Sequence, residues 1–331
     1  MIDDLGTFLF DYETNRTINE ALPDLAVDFF GLITRLGDGA VLVGVAMLLY
    51  WFGAPRNRHE RAMVLAIAVT TLALVAGLKG ILTIERPLYA AAAAGEPLAF
   101  APEEYPGWST PSAHAMGAAA VYGALAVLME TGKQWQRYAV AGFLIVTVPL
   151  SRVIIGVHYL GDVIAGALLG LLLVAIALRI PKRAVTSMFG LALAIAVLAF
   201  ALGSEEFTSM SIGASLGGLV VWWMFEDRDP DPYGASILMF AILIIPALLL
   251  YRLIETFVVV DITVEVAALG EIPIMSFVSI GTYTVLFGLA IAVPYLAEKL
   301  NDWDSVRRMQ DTLPFRGRRV ETDAISEHLD D

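Results

Sequence analysis

Nine apolar stretches, each near the length of a bilayer-spanning helix, leave this chain little choice but a polytopic membrane architecture. They run near 39–53, 62–83, 112–130, 137–151, 160–178, 185–203, 209–225, 235–252 and 274–297. The first is short and is expected to begin earlier in the chain. A chain that is 58% apolar, with a mean hydropathy of +0.71, has too little polar surface to cover a water-soluble domain. The expected fold class is all-α.

The flanks differ from this middle. Residues 1–38 mix apolar clusters such as Phe8-Leu9-Phe10 with acids and Pro23, the pattern of interfacial helices lying on a bilayer. Met1-Ile2-Asp3-Asp4 lacks the basic start of a cleavable signal peptide, so the first span is expected to act as the insertion signal. The tail, 299–331, turns from basic to acidic and is expected to be disordered and cytoplasmic. There is no cysteine, which excludes disulfides and thiolate chemistry. Net charge is −13, and only 4 of the 21 basic residues are lysine. That balance fits a halophile, whose high-salt cytoplasm screens acidic surfaces.

The basic residues set an orientation. With nine spans, one side receives 15 of them: Arg56, Arg58, Arg61, Lys133, Arg137, Arg179, Lys182, Arg183, Arg228, Lys299, Arg307, Arg308, Arg316, Arg318 and Arg319. The other receives Arg16, Arg35, Lys79, Arg86, Arg152 and Arg252. The richer side is expected to be cytoplasmic, with the N-terminus outside and the C-terminus inside. Lys79, Arg86 and Arg152 then break the trend on the outer face. A cation near bilayer depth is costly without a partner, so something anionic is expected there.

Three segments meet at that face. The second span ends Lys79-Gly80-Ile81-Leu82-Thr83-Ile84-Glu85-Arg86-Pro87. The third starts Ser109-Thr110-Pro111-Ser112-Ala113-His114. The turn between the fourth and fifth reads Ser151-Arg152, then His158 and Asp162. Ser109 or Thr110 before Pro111 reads as an N-cap followed by the first helical residue. His114 then falls in the first turn, where free backbone N–H groups favour a phosphate. Guanidinium groups grip phosphoryl oxygens bidentately. The spacing of His158 and Asp162 predicts neighbours on one helical face. A carboxylate there fixes the imidazole tautomer and leaves the other nitrogen free to attack. His114, from another helix, can protonate a leaving oxygen.

These segments resemble the type 2 phosphatidic acid phosphatase and vanadium haloperoxidase superfamily. Its pattern is Lys-x6-Arg-Pro, then Pro-Ser-Gly-His, then Ser-Arg-x5-His-x3-Asp. Lys79 with Arg86-Pro87, Pro111 through His114, and Ser151-Arg152 with His158 and Asp162 match it in order and spacing. Ala113 stands where the family has Gly and keeps the backbone N–H. The resemblance implies a six-helix phosphatase core over 39–203, followed by about three further transmembrane helices over 204–298. It implies metal-independent hydrolysis of a phosphomonoester or diphosphate through a phosphohistidine, with no cofactor. His158 would attack, Asp162 orient it and His114 act as acid. Lys79, Arg86, Ser112, Ala113 and Arg152 would bind the phosphate. Vanadate should inhibit.

The spans favour a lipid phosphate substrate, an isoprenoid diphosphate or a phosphatidate-like lipid, with the membrane as the other partner and no nucleic acid. A lipid-linked phosphotransferase and a non-catalytic anion or lipid transporter are the competing readings. Val260, Ile262, Val264 and Val266 alternate with polar residues, which allows a strand or a lid. The loop 88–110 is expected as an irregular cap, with Tyr105 and Trp108 near headgroups. Asn15-Arg16-Thr17 has the form of a glycosylation sequon, read as a chance occurrence.

Overall fold

The computed structural model describes residues 8–53, 57–180, 184–202, 207–257, 262–266 and 270–313. It is all-α and polytopic. The elements in chain order are α1 (Tyr12–Glu20), α2 (Asp24–Ile33), a 3-10 turn (Thr34–Gly37), α3 (Gly39–Phe52) and α4 (Arg58–Leu82). Next come α5 (Pro87–Ala93), α6 (Ala113–Leu128), α7 (Gln134–Ile154), α8 (Leu160–Ala177) and α9 (Ala184–Ala201). Then follow α10 (Thr208–Phe225), α11 (Gly234–Phe257), β1 (Thr263–Val266), β2 (Gly270–Pro273), α12 (Ile274–Glu298) and α13 (Asp304–Thr312).

Each of the nine expected apolar stretches forms a helix. Six helices are long and apolar enough to cross a membrane. A seventh arises if α2 with its 3-10 turn and α3 count as one span, bent by 53° at the break. Counted so, the first span begins before residue 39, through this bend. Two shorter apolar helices, α6 and α9, complete the set.

Small residues explain why α6 can sit at the centre. Its sequence, AHAMGAAAVYGALAVL, presents mostly methyl groups or nothing, so α4, α7 and α8 all pack against it. The approach of α8 is closest at two glycines. A Cβ at Gly166 would stand 2.7 Å from the Ser112 carbonyl oxygen, and one at Gly170 would collide with that of Met116. The same device brings α10, through Gly213 and Gly217, against α12. α9 and α10 tie this second pair to α4.

Residues 1–38 do more than the sequence implied. Among the described part, α1 docks on α5 and α7, and α2 on α7. Asn15 is fully buried, its amide donating to the carbonyls of Val153 (2.8 Å) and His158 (2.9 Å). The sequon therefore has no accessible acceptor in this fold. Residues 263–266 and 270–273 settle the strand-or-lid choice as two paired antiparallel strands, Thr263 opposite Pro273; Val260 lies outside the described residues. The tail expected to be disordered from 299 is instead helical over Asp304–Thr312, in α13. It buries Val306 and Gln310, and Gln310 accepts from the Ala235 amide. Residues 314–331 lie outside the described residues.

Candidate active site

The site is built at the ends of five helices. Lys79 lies in the last turn of α4, which Thr83 closes in a left-handed conformation at φ 42°. The chain then runs extended to Arg86, the N-cap of α5, whose first residue is Pro87. Arg86 is buried. It donates to the carbonyls of Gly107 (Nε, 2.8 Å), Pro106 (Nη2, 3.0 Å) and Val157 (Nη1, 2.9 Å). Its Nη1 is also 3.1 Å from His158 Nε2.

The α6 start differs from expectation. The N-cap is Ser112, whose hydroxyl accepts from the Ala115 amide at 3.4 Å, and Ala113 opens the helix. Ser109 and Thr110 are not the cap. Both hydroxyls donate instead to the Asp162 carboxylate, Ser109 at 2.5 Å. The physical reason is the electrostatic demand of a buried acid, which outcompetes a helix end that Ser112 already serves. Thr110–Pro111 is a cis peptide. His114 falls in the first turn of α6, as expected.

His158 and Asp162 also meet by a different route from the one expected. His158 is not helical. It sits in the turn before α8, for which Tyr159 is the N-cap and Asp162 the third residue. Asp162 accepts from the Tyr159 amide at 2.8 Å, so one carboxylate caps the helix and faces His158 together. Its Oδ2 is 3.3 Å from His158 Nδ1. Nε2 is left on the side of Arg86. Burial first, then the Arg86, Arg152 and Lys79 charges, holds the His158 imidazolium well below the usual histidine range. The ring is thus neutral at ordinary pH, the form a nucleophile needs.

Arg152, in the last turn of α7, is buried and donates from Nη1 to the Thr34 hydroxyl at 2.7 Å. Its Nε and Nη2 are buried with no hydrogen-bond partner among the described residues. Tyr105 reaches into the site. Its ring lies under both guanidinium groups, 4.6 Å from that of Arg86 and 5.1 Å from that of Arg152. Lys79 and Ser112 are buried beside them, and the Ser112 amide donates to the Asp162 carbonyl.

Two contacts had no counterpart in the sequence reading. Asp38 Oδ1 lies 2.8 Å from His114 Nε2, and Thr34 holds Arg152. Both come from the turn before α3. The signal available for Asp38 was an acid at the expected outer end of the first span, on the face where an anion was called for.

Fold and site together define a helical, multi-pass membrane protein that gathers two imidazoles, a buried carboxylate and three cations at the ends of its helices. Residues 60–186 match the PAP2 superfamily. A segment of 72 residues is 40% identical to phosphatidylglycerophosphatase B of Bacillus subtilis (strain 168). That similarity covers 20% of this chain and 36% of the relative, so the chain spans about a third of the relative's length. No solved structure matches the chain.

Proposed function

We propose that the protein is a membrane lipid phosphatase acting through a phosphohistidine. The observation that carries this reading is the pairing of a nucleophile with an unsatisfied cation. His158 is anchored through Nδ1 by Asp162 and offers Nε2, while two buried guanidinium nitrogens of Arg152, Nε and Nη2, have no geometric hydrogen bond among the described residues and face only the Tyr105 side chain. A buried donor left unsatisfied costs about 1–3 kcal/mol, more when charged, and a phosphoryl group accepts from it. An anion-binding protein needs such cations, but it has no use for an oriented, neutral imidazole.

The substrate's phosphorus sits between His158 Nε2 and the departing oxygen. Lys79, Arg86 and Arg152 hold its oxygens, with Ser112 and the Ala113 amide at the α6 start. His158 attacks, Asp162 holds its tautomer, and His114 protonates the departing oxygen. Water then releases phosphate. No metal ion or cofactor takes part. The relative's name favours a phosphatidate-like phosphomonoester over an isoprenoid diphosphate. The basic-residue bias supports an extracytoplasmic site, with the N-terminus outside and the C-terminus inside. In this reading 39–203 is the phosphatase core and 204–298 an added helical layer.

The test is phosphate release in detergent from phosphatidate, phosphatidylglycerophosphate and an isoprenoid diphosphate, with and without EDTA. Turnover that survives EDTA and is lost in His158→Ala is expected. Full turnover in His158→Ala would remove the mechanism, and a strict requirement for Mg²⁺ would remove its metal independence.

A further inference from the structure

We propose that Asp38 is the positioning residue for His114, holding the imidazole so that its Nδ1 delivers a proton to the departing oxygen. The proposal rests on the phosphatase reading and adds a residue upstream of the matched segment, 60–186.

Three observations converge on Asp38. Its Oδ1 is 2.8 Å from His114 Nε2, with the His114 side chain largely buried. It occupies the N-cap of α3, where an aspartate ordinarily accepts from the first helical amides, yet its carboxylate makes no capping bond. A side chain that forgoes its local partner for one 76 positions away is held there by tertiary structure. The 53° break falls at this residue and turns it into the bundle.

Gly37 completes the arrangement. A Cβ built there would stand 3.0 Å from His114 Cβ and Cδ2, and 2.5 Å from Val148 Cγ1. The Cδ2–Nε2 edge of the imidazole is therefore packed on the 37–38 backbone, and Nδ1 lies on the opposite edge. The charged groups around this ring are Asp38 and Arg35 of the turn, Lys79 of α4, Arg152 of α7 and His158 of the turn before α8. Three of them are cations. A carboxylate on Nε2 opposes their repulsion of an imidazolium and fixes the ring orientation, as an aspartate does for other catalytic histidines.

The step balances as follows. His158 Nε2 forms a bond to phosphorus while the P–O bond to the lipid breaks. The electron pair goes to the lipid oxygen, which takes the proton from His114 Nδ1. His114, now neutral, accepts a proton from the water that attacks the phosphohistidine. The new P–O bond forms as the N–P bond breaks, and both imidazoles return to their starting states.

The leaving group separates a positioning role from a merely structural one. From phosphatidate the diacylglycerol departs as an alkoxide that needs a proton; from p-nitrophenyl phosphate the leaving group is a stable phenolate that does not. The Asp38 carboxylate makes no capping bond, so Asp38→Asn removes none and leaves the helix start intact. We expect Asp38→Asn to lower kcat for phosphatidate by about 10²-fold, within the usual span for general acid catalysis. The loss should exceed that for p-nitrophenyl phosphate at least tenfold, with KM little changed. The basic limb of the kcat–pH profile should move to lower pH. Asp38→Glu should restore part of the rate, and His114→Ala should show the same leaving-group pattern, with no further loss on adding Asp38→Asn. Equal losses on both esters, or none on either, would overturn the proposal while the phosphatase reading stands. Wild-type protein that hydrolyses neither ester would overturn that reading, and the proposal with it.

Discussion

Arg58 and Arg152 lie at opposite ends of the bundle, the first opening α4, whose far end carries Lys79, and the second near the end of α7. Each is buried, and each keeps guanidinium nitrogens without a hydrogen-bond partner among the described residues. Their neighbours differ. Arg58 is sandwiched between Trp222 and Tyr295, with the ring centroids at 4.9 and 5.0 Å, and has Asp229 at 3.6 Å and the Glu226 carbonyl at 3.2 Å. Its planar faces are covered, so it works as a pin between α4 and the layer of α10 and α12. Arg152 has His114, His158 and, through charge, Asp38 for neighbours and one aromatic ring, Tyr105, on a loop. An unsatisfied buried guanidinium does not by itself mark a site. The company of an oriented imidazole does.

The largest expected effect lies at the site end. His158→Ala should reduce lipid phosphate hydrolysis by at least about 10³-fold, because no neighbouring group can replace the nucleophile. Next, Arg152→Gln should cost about 10²–10³ in kcat, the usual loss on removing one transition-state donor, while the thermal midpoint holds or rises. The sharpest contrast is Arg58→Met. Turnover should stay within about twofold, while stability falls by about 1–3 kcal/mol as two cation–π contacts and a carbonyl bond are lost. A matched loss of activity in Arg58→Met would erase the distinction between the two ends.

A smaller effect concerns pH. The folded protein holds His158 well below the usual histidine range through burial and then its cationic neighbours. A lowered value means that the neutral, attacking form persists as pH falls through about 6.5, the ordinary imidazole midpoint. The acid limb of kcat/KM should therefore lie below that point. Weakening the field with Lys79→Met should move the limb upward, by an amount readable in a profile from pH 4 to 8.

Much of this was legible in the sequence because it depends on length and order. An apolar run long enough to cross a bilayer has few alternatives, so every expected span became a helix. Lys79, Arg86, Arg152, His114, His158 and Asp162 are ordered along the chain at fixed spacings, and the fold brings them together. Contacts without a spacing rule stayed hidden. Asp38 reaches His114, Asn15 reaches the His158 carbonyl and Thr34 reaches Arg152 only because α1 and α2 dock on α7 and the chain bends at residue 38. Ser109 and Thr110 were read as helix caps because short polar residues before a proline have that local preference. The buried Asp162 overrode it. The contact of Tyr105 with both guanidinium groups likewise has no spacing rule, because its loop alone sets where the ring falls.

The central claim is that His158 carries the phosphoryl group. It is tested most directly by mixing the protein with phosphatidate labelled in its phosphate, quenching within milliseconds and mapping the label. A base-stable, acid-labile label on the peptide containing His158, absent from His158→Ala and accumulating when water attack is slowed, is the expected result. A label on any other residue, or steady turnover in which no labelled protein forms, would contradict it.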